Sequence, residues 1–167
     1  MFEITDLPDS ATIARMAQRY PMLEVPEFES WLTLMRVSGD CENDLDQFLA
    51  SHTLSQRKFF VLILLMRNPN GLNVSQLATG TRVSCATMTG VVEGLNTAQL
   101  VTRVTDSQDR RAFVVTITSA GQELLDRILP QHYQRISTMM SMLDETEHIQ
   151  LKSILTKIHA GLNNTGN

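Results

Sequence analysis

The sequence predicts a mainly α-helical fold with one small β-hairpin, and three features support this prediction. Apolar residues recur at helical spacing over most of the 167 residues. The period changes at "LVTRVTDSQDRRAFVVTITSAG", where two β-rich runs flank a polar loop. Two short helices with a Gly-containing turn between them come directly before that hairpin. Together these features predict a winged helix-turn-helix with further helices at both of its ends.

Two amphipathic helices are predicted at the start of the chain. "SATIARMAQRY" has the spacing of a short helix that begins with Ser10 as N-cap and ends before Pro21. A longer helix follows Pro26 and carries an apolar stripe. The stripe consists of Trp31, Leu34, Met35, Cys41, Leu45, Phe48 and Leu49.

A deeply buried helix is predicted from Leu54 to Met66, with Ser55 as its cap. "NPNG", at 68–71, then has the residues of a turn. The first helix of the helix-turn-helix has an inner face of Val74, Leu77 and Ala78, and its pattern breaks at Gly80.

Ser84 is the expected cap of the second helix of the helix-turn-helix. Its core residues repeat at helical spacing: Met88, Val91, Val92 and Leu95. With these turned inward, a step of about 100° per residue turns another set outward. That set is Ala86, Thr87, Gly90, Glu93 and Gly94.

The hairpin is expected to pair Val101–Thr105 with Ala112–Thr118, and two helical stretches follow it. Pro130 should kink or divide the first stretch. The second starts at "DETE", and the terminal "LNNTGN" is expected to fray. We therefore assign N-terminal helices to residues 1–50, a winged helix-turn-helix domain to 51–120 and C-terminal helices to 121–167.

Three motifs in this order resemble the MarR family of winged-helix transcription regulators. They are "LSQRKFFVLILL" from Leu54, "VSQLATGTRVSCATMTGVVEGLNTAQLV" from Val74 and "DSQDRRAFVVTITSAG" from Asp106. The resemblance implies a homodimer whose terminal helices intertwine, with the second helix of each helix-turn-helix in a major groove of double-stranded DNA and the wing at a minor groove. It also implies a small, often aromatic effector. The expected function is a sequence-specific regulator, a ligand-responsive repressor on a palindromic operator.

The apolar stripes of the terminal helices give a physical reason to expect a dimer. They include the cluster Met139, Met140 and Met142, and one small winged domain could not bury all of them. The alternative is a helical cap formed within one chain.

Charge is the difficulty for DNA binding, because the formal net charge is -4. The family usually carries Arg at several positions of the second helix, where this chain has Cys85, Gly90 and Gly94. The remaining candidates suit hydroxyl donation, methyl contact and close backbone approach. They are Ser84, Ala86, Thr87, Thr89 and Gly90. The alternative is a merely solvated helix face.

Positive charge is expected from the turn and the wing instead. Arg82 lies in the turn and Arg103 on the first strand of the hairpin. "DRR" matches the family's wing signature, so Asp109 is expected to orient an arginine, and Arg110 or Arg111 to probe the minor groove. The alternative is an exposed pair of arginines that balances nearby aspartates.

The effector site has four candidate residues, Trp31, Met35, Phe59 and Phe60, which are otherwise plain core. Cys41 lies on an apolar stripe and is interpreted as a small buried hydrophobe rather than an oxidant sensor. The two cysteines form no disulfide framework, which favours a reducing cytosol. The sequence has no secretory leader pattern, and its longest apolar run is too short for a bilayer, so no membrane association is expected.

The sequence predicts no catalytic, metal or cofactor site. It contains no Ser/His/Asp order, no phosphate-binding Gly-rich loop and no ligand spacing among its four histidines. The rival to a DNA-binding regulator is therefore a second non-catalytic class. In that reading the chain is a degenerate winged-helix dimer that binds a protein partner.

Overall fold

The computed structural model describes residues 6–105 and 113–164. The chain divides into two compact units, Met1–Ile117 and Thr118–Asn167. The first unit contains α1 (Ser10–Arg19), α2 (Val25–Ser51), α3 (Gln56–Met66), α4 (Val74–Thr81), α5 (Cys85–Thr97), β1 (Val101–Thr105) and β2 (Phe113–Ile117). The second contains α6 (Ser119–Met140) and α7 (Glu145–Asn164). The prediction of a mainly α-helical chain with a two-stranded hairpin is confirmed.

Side-chain caps set the start of the central helices. Ser55 accepts a hydrogen bond from the backbone N–H of Lys58, which confirms it as the cap of α3. Asn73 and Gln76 cap α4 reciprocally, because the side chain of each accepts from the backbone N–H of the other at 2.9 Å. Each of these helices therefore begins where its own sequence places a cap.

The cap of α1 is one residue earlier than predicted. The carboxylate of Asp9, not the hydroxyl of Ser10, accepts from the backbone N–H of Thr12 at 2.7 Å. Ser10 is the first residue of the helix. Hydrogen bonds from the side chain and the backbone of Thr12 hold the pKa of the Asp9 carboxyl below its ordinary value.

The core of the first unit is built around α3, which packs against α2, α4, α5 and β2. Met88, Val92 and Leu95 of α5 are fully buried, as predicted, whereas Val91 is only half-buried. Burying one such aliphatic side chain contributes about 1.5–3 kcal/mol to folding. The other core residues of α3, α4 and the hairpin are Phe59, Val61, Leu62, Leu65, Leu77, Ala78, Val101, Val114 and Val115.

The hairpin pairs Val101 with Ile117 and Thr105 with Phe113 in antiparallel register. The first strand has the predicted bounds, and the second spans Phe113–Ile117. An unpredicted contact joins the hairpin to the segment before α4. The N–H of Leu72 donates to the carbonyl of Val115 at 3.0 Å, and the N–H of Val115 donates back at 2.8 Å.

The long helix α2 exposes part of the stripe that the sequence assigns to the core. Leu32, which lies outside the predicted stripe, is buried. Trp31 and Met35 are 52% and 50% exposed in the single chain. The interpretation of these two side chains as plain core of one chain is therefore wrong. Phe48 and Leu49, at the other end of the stripe, are buried as predicted.

The second unit consists of two long helices. Pro130 lies inside α6, which continues to Met140, so Pro130 does not divide this stretch. Asp144 and Glu147 form a reciprocal capping box at the start of α7, each accepting from the other's N–H at 2.9 Å. The predicted frayed tail is wrong in part, because α7 remains helical to Asn164.

The side chains of α7 are poorly covered within the single chain. Between 145 and 162 none of them is buried, and Leu151 is the one that is half-buried. Ile154, Leu155 and Ile158 are exposed large apolar residues on this helix. Within 6–105 and 113–164, no helix is long and apolar enough to cross a membrane.

Candidate nucleic-acid interface

The turn between α4 and α5 is built on an arginine with left-handed backbone geometry. Arg82 has φ 54° and ψ 42° and forms the C-cap of α4. A non-glycine residue costs about 1 kcal/mol or more in this conformation. The backbone N–H of Val83 donates to the carbonyl of Ala78 at 3.1 Å and closes the turn. The side chain of Arg82 is exposed, as a candidate DNA contact must be.

The break between the two helices comes later than predicted. Gly80 lies inside α4, not at its end. A Cβ atom added at Gly80 would lie 2.9 Å from Cδ1 of Leu64. The glycine therefore gives close packing between α3 and α4, and Arg82 takes the left-handed position that Gly often occupies.

Ser84 caps α5, as predicted, and its hydroxyl contacts both the backbone N–H and the side-chain hydroxyl of Thr87. Oγ of Ser84 accepts from the backbone N–H of Thr87 at 3.1 Å and lies 2.9 Å from Oγ1 of the same residue. Ala86, Thr87 and Thr89 are all exposed. The hydroxyl of Thr89 donates to the carbonyl of Cys85 at 2.9 Å, so its proton is held by the backbone while its methyl group stays available.

The outward face of α5 is open at Gly90 and covered at Gly94. A Cβ added at Gly90 would meet no heavy atom within 4 Å. A Cβ added at Gly94 would lie 3.3 Å from Cε of Lys58, and Gly94 is half-buried. The prediction that Gly94 faces outward is therefore wrong, because a side chain from α3 lies over it. The sequence pattern of α5 alone contains no sign of this contact.

The predicted wing residues divide into two groups. Arg103 is exposed on β1, where it pairs with Val115 across the hairpin. Asp109, Arg110 and Arg111 lie outside the described residues. The hairpin itself follows α5 directly and packs against it through β1.

The four candidates for an effector site have different environments. Phe59 is 2% exposed and belongs to the core, whereas Phe60, whose ring centroid lies 5.5 Å away, is 43% exposed. The exposed ring of Trp31 stacks on Phe28 at 5.9 Å. Three of the four side chains, including Met35, are thus accessible in the single chain.

Other chemistry has little support in the part of the chain that the structure describes. No group of three or more His, Cys, Asp or Glu side chains there could hold a metal ion. Cys41 is half-buried and Cys85 is exposed on the first turn of α5, and neither forms a disulfide. An open groove of ≈ 620 Å³ in the second unit was not predicted; it is lined by Met140, His148, Leu151, Lys152, Leu155, Thr156 and His159.

The sequence matches one protein family and several proteins that are named as transcription regulators. The sequence profile of the MarR family matches residues 54–113, from just before α3 to the start of β2. The HTH-type transcriptional repressor YetL of Bacillus subtilis is 29% identical over 146 residues, 87% of this chain and 87% of YetL. The HTH-type transcriptional repressor NicR of Pseudomonas putida is 31% identical over 107 residues, 64% of this chain and 68% of NicR.

Two solved structures share the architecture. The S. aureus MepR–DNA complex superposes with a TM-score of 0.69 at 25% identity, over 80% of this chain and 95% of the MepR chain. CouR from Rhodococcus jostii RHA1, crystallised with bound p-coumaroyl-CoA, has a TM-score of 0.66 at 25% identity, over 75% of this chain and 88% of CouR.

Proposed function

This chain belongs to the MarR family of transcription regulators, and we propose that it represses transcription as a homodimer on a palindromic operator. The family consists of non-enzymatic regulators that bind DNA. Two relatives, YetL and NicR, are both named as repressors. In this proposal the helical segments 1–50 and 121–167 dimerise, and residues 51–120 bind double-stranded DNA.

The observation that carries the proposal is the open face of α5. Its N-terminus is capped and exposed, and Ala86, Thr87 and Gly90 present only small groups to solvent. Such a surface suits the major groove, since hydroxyl and methyl groups contact base edges and glycine permits close approach. The helix N-terminus adds N–H groups and a partial positive charge that attract a phosphate. MepR, a protein with the same architecture, was crystallised on DNA.

The wing supplies charge in this proposal. Arg103 on β1 reaches toward the phosphate backbone, and Arg110 or Arg111 enters the minor groove with Asp109 as the residue that orients it. Arg82 in the turn adds a further cation beside α5. A dimer doubles each of these contacts, which is how an acidic chain can hold DNA through local charge.

The terminal helices supply the dimer interface in this proposal. Ile154, Leu155 and Ile158 on α7 are exposed in the single chain, as are Trp31 and Met35 on α2. Exposed apolar surface of this extent is expected to be covered by a partner, and a second copy of the chain has a matching surface by symmetry.

A small, often aromatic molecule is the proposed effector, bound beside Trp31, Met35 and Phe60 once the dimer forms. Support comes from CouR, a structural neighbour that was crystallised with p-coumaroyl-CoA. Phe59 would form only the buried base of such a site, because its side chain is almost inaccessible. The proposed DNA target and two cysteines that form no disulfide favour a cytoplasmic protein.

A protein-interaction module remains the second candidate function, and one observation favours it. From Cys85 to Thr97, α5 carries no Lys or Arg, and it does carry the exposed Glu93. A winged helix that had lost DNA binding would tolerate that composition. It would not require exposed arginines at the turn and on the hairpin.

Selection of bound fragments from a pool of random duplexes separates the two functions. The regulator should enrich a palindrome whose half-sites lie about one helical turn of DNA apart. A control selection with the Arg110→Ala/Arg111→Ala variant should enrich the same palindrome with weaker retention. Absence of enrichment by the unaltered protein at low salt would reject DNA recognition and favour the interaction module.

A further inference from the structure

The face of α5 proposed to meet DNA contains no cation of its own. Phosphates flank both sides of a major groove, and proteins hold them with Lys, Arg or backbone N–H groups. The backbone N–H groups at the start of α5 can serve one phosphate near Ser84. Further along the helix, beyond Gly90, α5 offers neither free N–H groups nor a charged donor.

Lys58 of α3 lies where that charge is missing. It is the third residue of α3, and its backbone N–H donates to the capping hydroxyl of Ser55 at 3.4 Å. Its side chain extends across to α5. A Cβ atom built on Gly94 would lie 3.3 Å from Cε of Lys58 and 3.5 Å from its Nζ.

The ammonium group therefore lies beside the same stripe of α5 as the proposed DNA contacts. Residues three, four and seven positions apart share one side of a helix, so Thr87, Gly90 and Gly94 are in line. Gly90 is open, and Gly94 is covered by the end of Lys58. Any side chain larger than glycine at position 94 would compete with Lys58 for this space.

We propose that Lys58 is a DNA-binding residue that contacts a backbone phosphate beside the C-terminal half of α5, and so supplies the charge that α5 lacks. A lysine acts here as a point charge on a flexible stem, which suits a phosphate and does not read sequence. This inference rests on the proposed function, because it requires α5 to face DNA.

If Lys58 had a purely structural role, its charge would not affect DNA binding. Lys58 is half-buried, so its methylene stem could matter only for packing between α3 and α5. Lys58→Met keeps a stem of similar length and removes the charge. Lys58→Arg keeps the charge. Arg67→Met is the matched control, because it removes one exposed cation about 13 Å further along the axis of α3.

The experiment measures the affinity of each variant for the selected operator and for a random duplex of equal length, at several salt concentrations. Lys58→Met should bind both duplexes roughly tenfold more weakly, and its salt slope should fall by about one unit per subunit. Lys58→Arg and Arg67→Met should behave as the unaltered protein does. All four proteins should have the same midpoint of thermal unfolding.

Three outcomes would overturn the inference, and each one identifies a different error. If the unaltered protein binds DNA and Lys58→Met matches it in affinity and salt slope, the Lys58 contact alone is wrong. If Lys58→Met weakens binding but also lowers the unfolding midpoint, Lys58 is a packing residue. If the unaltered protein binds neither duplex at any salt concentration, the proposed function fails and the Lys58 contact fails with it.

Discussion

The hydroxyl oxygens of Ser84 and Thr87 lie 2.9 Å apart at the first turn of α5, and the Ser84 oxygen also accepts the backbone N–H of Thr87 at 3.1 Å. The two hydroxyl groups have two O–H protons, and one of these protons forms the hydrogen bond between them. One hydroxyl proton is therefore left to donate outward, at a helix end where N–H groups also point to solvent. Helix capping and the proposed DNA contact share the same two side chains.

Thr87→Val and Ser84→Ala should separate these two roles. Thr87→Val keeps the N–H that the Ser84 hydroxyl caps, so stability should change little, while affinity for the operator should fall by about 1 kcal/mol. Ser84→Ala removes the cap and should lower the unfolding free energy by about 1 kcal/mol. Denaturant unfolding and titration of each variant with operator measure both effects. Equal operator affinity for Thr87→Val and the unaltered protein would remove Thr87 from the interface.

Arg82→Gly should make the protein more stable and a weaker DNA binder. The left-handed backbone at φ 54° costs an arginine about 1 kcal/mol, and glycine avoids part of that cost. Loss of the guanidinium should reduce the salt slope of binding by about one unit per subunit. Arg82→Asn is the control for the loss of charge, because it keeps a side chain that tolerates this backbone but carries no charge. A stabilised Arg82→Gly protein with unchanged DNA affinity would show that Arg82 does not contact DNA.

Gly90 tests the orientation of α5, because a side chain there meets no atom of its own chain within 4 Å. Both Gly90→Ala and Gly90→Arg should raise the unfolding free energy by up to about 1 kcal/mol, since glycine is a poor helix-interior residue. Only Gly90→Arg should bind a random duplex more tightly and with a steeper salt dependence, which would blur the preference for the operator. The matched alanine variant isolates the charge from the helix propensity. Two variants of equal stability and equal random-duplex affinity would place Gly90 away from DNA.

The apolar side of α7 should hold the dimer together. Ile158 lies in line with Ile154 and Leu155, whereas Ile149, which is 66% exposed, lies about 180° around the helix from Ile158. Ile158→Glu should therefore shift the protein from dimer to monomer in sedimentation at micromolar concentration. Ile149→Glu should leave the dimer intact, although it introduces the same charge at a more exposed isoleucine. If both variants sediment alike, α7 does not form the interface in this orientation.

The features that the sequence predicts correctly depend on neighbours close in the chain. Ser55 and Ser84 cap helices through residues three positions away, and β1 has a compact β-rich run. These signals are local hydrogen bonding and periodicity, which a short window of sequence contains.

Two of the features that it misses, at Gly80 and Gly94, depend on distant residues. Gly80 resembles a helix end, but its lack of a side chain serves packing on Leu64, and Arg82 ends the helix instead. Gly94 has outward spacing, yet Lys58 covers it from another helix. No short window of sequence around either glycine includes the residue that packs against it.

The stripe on α2 is misread for a related reason. Trp31 and Leu32 are adjacent apolar residues, and periodicity alone cannot tell which of them faces the core of one chain. Leu32 is buried and Trp31 is exposed. A helix that contacts both its own chain and a second copy would need apolar residues on two sides, which widens the stripe.

Protection of Cys85 by DNA tests most directly whether α5 enters the groove. Cys85 is an exposed free thiol on the first turn of α5, next to Ala86 and Ser84. In a Cys41→Ser background it is the single thiol of the chain, and its rate of alkylation can be followed by mass. Operator duplex should slow alkylation in proportion to the fraction of protein bound, and high salt, which releases the DNA, should restore the free rate. An alkylation rate that stays unchanged when all the protein is bound would contradict the placement of α5 in the groove, because Cys85 and the start of α5 would then lie outside the DNA interface.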